Sequence, residues 1–247
     1  MLNLNINNRY KACGTHLVIS FLIAIVIFYL CFYVWYPYPL IKAGGIHGLT
    51  LLLSVDIVLG PLLTLMVFEQ KKPRLKSDLA CIGIFQFVCL FVGLWFVFNE
   101  KPELTVLADD GMHIVSRADR ALFINNDELK TLKKNNKKVP FYIAKIPFDF
   151  EAVVANSITK EFYNEIPFEL ITNNYQTPTT VKESDFLTHV NLINKNFINE
   201  DQQKRISALK NQSDISNKNC LWTVVRSNHF EGFACINLQK GIIQLTK

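Results

Sequence analysis

Residues 54–68 read SVDIVLGPLLTLMVF, an apolar stretch interrupted by one carboxylate, Asp56, and by the pair Gly60-Pro61. The run begins at Leu49, and Leu49–Phe68 at about 1.5 Å per residue reaches roughly 30 Å, the thickness of a bilayer's hydrocarbon core. Two further runs of that length flank it, Leu17–Val34 and Leu79–Phe98, and neither carries a formal charge. Nothing comparable follows Asn99. Half of the 247 residues are apolar and 19% are charged, too apolar for an ordinary soluble chain and too charged for a membrane bundle alone. The chain therefore divides into a transmembrane part, 1–98, with three helices (about 17–34, 49–68 and 79–98), and a soluble part, 99–247.

The first run follows Arg9 and Lys11, as a signal peptide would. It ends in FYVWYPYPL, aromatic and proline-rich, where a cleavage site would show small residues, so it reads as a retained anchor. A glycine ahead of a long apolar helix also marks pilins. The segment after Gly14, THLVIS, lacks the acid of that motif, which sets the chain apart from them.

Positive charge sets the orientation. Residues 1–98 hold seven Lys or Arg against three acids, and six of the seven lie before the first span or in the loop 69–78. The other loop carries only Lys42. By the positive-inside rule the N-terminus and the basic loop are cytoplasmic, and residues 99–247 are extracytoplasmic, with Trp35, Tyr36, Tyr38 and Trp95 at the outer interface. The soluble part holds 19 basic and 18 acidic residues, which is no nucleic-acid footprint.

A carboxylate inside a span costs about 2.5–3.5 kcal/mol on insertion scales, so Asp56 is expected to face other helices and find a donor. Tyr29, at similar depth on the first span, is the expected partner, and Gln86 enters from the opposite side. Pro61 removes the hydrogen bond to the Ile57 carbonyl and Gly60 admits a neighbouring helix, so the segment reads as a kinked helix. Packing within the bundle, recognition of a partner helix, and an ion pathway all remain open roles for Asp56.

In the soluble part, Leu104–Ala108 and Met112–Ser116 flank Asp109-Asp110-Gly111 as a hairpin. Helices are expected at Asn126–Lys134, Glu151–Asn164, from a Thr180/Glu183 capping box onward, and at Asp201–Asn211. Strands are expected at Val139–Pro147, Leu221–Arg226, Phe233–Leu238 and Gly241–Leu245. Strands, then helices, then strands make a small α+β domain. Chemistry is sparse. The five histidines show no metal-ligand spacing, and no nucleophile motif or phosphate loop is present, so neither cofactor nor metal nor enzymatic activity is expected. Asp149 and Glu151 read as a helix start. Cys220 and Cys235 fall opposite each other if a hairpin turns through Arg226–His229, and an oxidising compartment would let them form a disulfide.

The stretches KACGTHLVIS, VWYPYPL, DIVLGPLLT and DLACIGIFQFV closely resemble the TfpX/TfpZ family of type IV pilin accessory proteins along residues 11–107. Thr15 and Lys101 depart from the family pattern, and little beyond residue 120 matches it. The resemblance implies a bacterial inner-membrane protein that assists a cognate type IV pilin, through the pilin's membrane helix and its head domain. The alternative is a membrane-anchored sensor or small transporter with an extracytoplasmic ligand-binding domain.

Overall fold

The computed structural model describes residues 3–68, 73–108, 110–134, 141–144, 170, 175–211 and 220–246. It separates into two compact units, 1–36 with 45–100, and 37–44 with 101–247.

The first unit is helical. Helix α1 (Asn3–Tyr29) continues into a π-helical turn, Leu30–Trp35. Helix α2 (Gly45–Ser54) passes through a second π-helical turn, Val55–Leu59, into α3 (Gly60–Val67). Helix α4 runs from Leu75 to Asn99. Pro61 explains the second π turn: its ring and missing N–H forbid the regular bond to the preceding turn, and a wider turn relieves the clash. Three helical stretches, Tyr10–Trp35, Gly48–Val67 and Leu75–Asn99, are long and apolar enough to cross a membrane. Their large apolar side chains, such as Phe21, Leu22, Phe87 and Phe91, point outward. α1 and α4 both pack on α3.

The second unit is a curled, mixed seven-stranded sheet of order β4-β3-β1-β2-β5-β6-β7. Its strands are β1 (Pro102–Leu107), β2 (Met112–Ser116), β3 (Phe141–Ala144), β4 (Tyr175–Gln176), β5 (Leu221–Ser227), β6 (Phe230–Asn237) and β7 (Gly241–Thr246). β1 and β2 form the expected hairpin, closed at Gly111, whose φ of +144° only glycine adopts readily. Two neighbouring pairs, β1–β3 and β2–β5, are parallel, so the sheet is not the simple antiparallel one that strand order along the chain suggests. β1 is buried along its whole length. Leu107, Met112, Ile143 and Val225 face one core with Phe186, Val190 and Ile193 of α7 (Glu183–Asn196). Leu104, Val106 and Tyr142 face another, with Ile124 and Leu129 at α5 (Arg117–Phe123) and α6 (Asn126–Lys133). Trp222, Val224 and Cys235 pack against Ile206 of α8 (Glu200–Asn211). Leu40 and Ala43, from the segment between the first two long helices, are buried in the α7 core.

Local details depart from expectation. The Thr180/Glu183 capping box does not form: Thr180 closes its own turn onto the Thr177 carbonyl, and α7 starts behind Lys182, which caps nothing. A true capping box joins Asn125 and Glu128 at α6. The β5–β6 hairpin turns through Asn228-His229 alone, pairing Ser227 with Phe230, so Trp222 and not Cys220 stands opposite Cys235. The shift is two positions in register, which leaves Cys220 on the same face as Cys235. A disulfide joins the two, with Cα atoms 5.5 Å apart. The helix expected at Glu151–Asn164 lies outside the described residues, as do Asp149 and the ends of the Val139–Pro147 strand.

Candidate functional site

One stripe of α1 and the π turn that continues it, comprising Ser20, Ala24, Ile27 and Cys31, is buried, at the spacing that brings residues to one helix face. One turn before Ser20 stands His16. Across from it α3 and its preceding π turn bury Asp56, Gly60, Pro61 and Thr64, and α4 buries Gln86. These residues converge. His16 Nδ1 lies 2.7 Å from Thr64 Oγ1. A methyl group built on Gly60 would meet the Gln86 amide and would stand 3.0 Å from His16 Nε2. Three helices therefore close on the Gly60 backbone, and only a residue without a side chain permits it. Asp56 is 7% exposed.

The sequence reading placed Tyr29 beside Asp56, and the structure corrects this. Tyr29 is 58% exposed and stacks on Tyr33, facing away from the bundle. From α1 it is His16 that reaches the cluster, at Thr64 and Gly60. Gln86 does reach the cluster, and its amide nitrogen is buried without a hydrogen-bond partner among the described residues. In hydrocarbon an unsatisfied donor costs several kcal/mol. The cluster combines an imidazole, a carboxyl group, a hydroxyl and an amide donor without a partner among the described residues.

The second unit holds two further polar groupings. Glu103, buried on β1, accepts from Arg120 Nε at 2.8 Å, with Lys133 Nζ at 3.6 Å and Lys101 Nζ at 3.9 Å. Burial holds the Lys101 ammonium below the usual lysine range, and the Glu103 carboxylate opposes that shift. Arg120 also donates to Asn126 Oδ1 and the Ile124 carbonyl, so the pair carries the hydrogen bonds a buried ion pair requires. Asp110, expected only as a turn residue, accepts from Arg226 at 2.7 Å and lies 2.7 Å from His113 Nε2. No local sequence signal announces that pairing, because Arg226 is brought in by the β2–β5 ladder. Among the described residues no His, Cys, Asp or Glu side chains cluster as metal ligands.

Comparison with known proteins gives two kinds of match. The family model described as "Fimbrial assembly protein FimB" matches residues 4–45. Among curated proteins of Dichelobacter nodosus, "Fimbrial assembly protein, serogroup E1" is 32% identical over 136 residues, 53% of this chain and 51% of that one. "Fimbrial assembly protein, serogroups C1 and C2" is 33% identical over 113 residues, 44% of this chain and 86% of that one. "Fimbrial assembly protein, serogroup I" is 29% identical over 136 residues, again about half of each. The chain thus spans about half the length of two of the relatives it matches. No solved structure matches. These matches carry the name of fimbrial assembly and not the TfpX/TfpZ name.

Proposed function

Because this chain belongs to the family of fimbrial assembly proteins, we propose that it is a non-enzymatic accessory factor of the bacterial inner membrane that assists assembly of a cognate type IV pilin. In this reading the membrane bundle receives the pilin's apolar helix and the second unit stands in the periplasm, where it meets the pilin head. The resemblance of residues 11–107 to the TfpX/TfpZ accessory proteins is the finer assignment within it.

The observation that carries the reading is the cluster around Gly60, in which half-buried His16 meets buried Thr64 beside buried Asp56 and Gln86. Polar groups inside membrane helices are retained where they serve recognition or transport, and one acid among three helices makes a poor conduit. Sidedness has separate support. Leu40 and Ala43, which follow the first span, share a core with Leu107 and Phe141, which follow the third, which supports a placement of both segments on one side of a membrane. The lysine and arginine distribution favours the outer side. A Cys220–Cys235 disulfide suits an oxidising compartment.

The test is photo-crosslinking in native cells from probes replacing Leu59 and Leu62, exposed residues of the second span that flank the cluster. Capture of the pilin through its membrane helix is the expected result. Asp56→Leu should then leave the protein abundant and reduce surface pili, with Asp56→Asn milder. Absence of pilin from the crosslinks, together with normal piliation in both variants, would overturn the reading.

A further inference from the structure

More positive charge converges on Glu103, near the start of β1, than one carboxylate can match. Arg120 Nε donates to Glu103 Oε2 at 2.8 Å, and both residues are buried. Two ammoniums lean on the other carboxylate oxygen, Lys133 Nζ at 3.6 Å and Lys101 Nζ at 3.9 Å. Their side chains remain 34% and 21% exposed, so this pair is reachable from solvent. Arg117, whose N–H donates to the Lys101 carbonyl at 2.9 Å, adds a fourth cation. Burial holds the Lys101 ammonium below the usual lysine range; Glu103 opposes that shift, and Arg117, Lys133 and Arg120 deepen it.

The neighbouring acids do not restore the balance. Asp119 accepts from Ser116 and Asn228, Asp127 pairs with Lys130, and Glu128 accepts from the Asn125 N–H in the capping box. The sequence after Lys133, KNNKK, holds no acid. With Glu100, the next residue in the chain, counted beside Glu103, the four cations still leave two positive charges in surplus. Half-buried like charges repel one another, and an external anion would offset that cost. The donors suit a phosphate: each ammonium has three N–H groups, and a guanidinium has five.

The chain itself fixes the depth of this cluster. Lys101 follows Asn99, the last residue of α4, by two positions. Two residues of extended chain reach about 7 Å, and the headgroup layer outside the hydrocarbon core is about 5–8 Å deep. With α4 crossing the membrane, Lys101 stands in that layer, and Arg117 and Lys133 gather there with it.

We propose that Lys101, Arg117 and Lys133 bind the phosphate of an anionic phospholipid in the headgroup layer where α4 leaves the bilayer. The inference rests on the membrane reading of α4 and is independent of what the helical bundle recognises.

The test uses the full chain in a neutral detergent, with dioleoylphosphatidylglycerol or dioleoylphosphatidylcholine added to the micelles, and reads retained lipid by native mass spectrometry. A chain that stays monodisperse without detergent would refute the membrane reading and this proposal with it; the other outcomes bear on the proposal alone. Phosphatidylglycerol should be retained in preference to phosphatidylcholine. The basic loop 69–78 also draws anionic lipid, so the decisive comparison is between variants of equal net charge. A lysine near the surface is worth about fivefold in affinity, so Lys101→Gln with Lys133→Gln should weaken phosphatidylglycerol binding about 25-fold. Lys204→Gln with Lys210→Gln, exposed on α8, should leave it unchanged. Amide exchange along β1 reports whether each variant folds, and Lys133→Gln alone, expected to lose about fivefold, carries the test if the double variant does not fold. Millimolar inorganic phosphate at constant ionic strength should not displace the lipid, whose tails hold its phosphate at this level. Displacement would make this a site for a free anion and overturn the lipid assignment. Equal retention of the two lipids, or equal loss from both pairs of variants, would leave the cluster to an acidic protein surface and overturn the proposal.

Discussion

Substituting Gly60 by alanine adds a single carbon at the point where three helices meet. That carbon would sit 2.8 Å from Gln86 Cδ and 3.0 Å from His16 Nε2, against an ordinary contact of about 3.5–4.0 Å. Either the helices separate by about 1 Å or the Gln86 amide leaves its buried position, and overpacking of that kind costs about 1–3 kcal/mol. Alanine also favours helix over glycine by up to about 1 kcal/mol, so a single variant mixes two effects. Gly83 on α4 separates them, because a methyl built there meets nothing within 4 Å. Gly83→Ala should therefore leave the protein as stable or slightly more stable, and Gly60→Ala should fall about 1–3 kcal/mol below it. Reversible unfolding of the purified protein in mixed micelles, titrated with SDS, reads the difference directly. Removing the obstacle with Gln86→Ala in the Gly60→Ala background should recover most of the loss. If Gly60→Ala and Gly83→Ala shift the unfolding midpoint alike, the convergence on Gly60 is not a packed contact and the reasoning fails.

Breaking the buried Glu103–Arg120 pair with Arg120→Leu should destabilise the second unit by about 3–5 kcal/mol, read as faster amide exchange along β1, whereas replacing both partners by leucine should cost much less. The Cys220–Cys235 bond closes a loop of sequence separation 15, so Cys220→Ser should remove about 3 kcal/mol from the second unit, and non-reducing mass spectrometry of the native protein should find the two cysteine peptides linked. Alkaline phosphatase fused after Asn99 should be active and fused after Arg74 inactive; the reverse would put residues 101–246 in the cytoplasm.

The three long helices were legible because crossing a bilayer asks for one length and one composition, and three runs of the sequence satisfy both. The β1–β2 and β5–β6–β7 strands were legible for a similar local reason: alternation over five or more residues, with turn residues between. Register was less so. A hairpin's pairing depends on how many residues its turn consumes, and RSNH does not distinguish a two-residue turn at Asn228-His229 from a four-residue one. The parallel contacts β1–β3 and β2–β5 were not legible at all, since each is made across a long connection that local pattern does not encode. Nor was the burial of Leu40 and Ala43, which in sequence belong to a short loop between two spans.

The same distinction explains the mistaken partner of Asp56. Depth alone, counted from the outer ends of two spans, points to Tyr29. Depth fixes one coordinate; the face of the helix fixes the other. Tyr29 is not on the stripe formed by Ser20, Ala24, Ile27 and Cys31, which α1 turns inward, and going back one turn from Ser20 leads to His16. That stripe was readable: it places the small residues Ser20 and Ala24 at the spacing where helices approach closely, and a polar residue one turn before them was the natural candidate to meet a buried carboxylate. Pro61 then accounts for how Asp56 and Gly60 both face the bundle. Four residues apart, they would share one face of a regular helix, and both remain buried across the π turn between them. The opening stretch therefore encodes a contact point assembled from three helices, where a π turn, a glycine that admits its neighbours and a buried acid fall together.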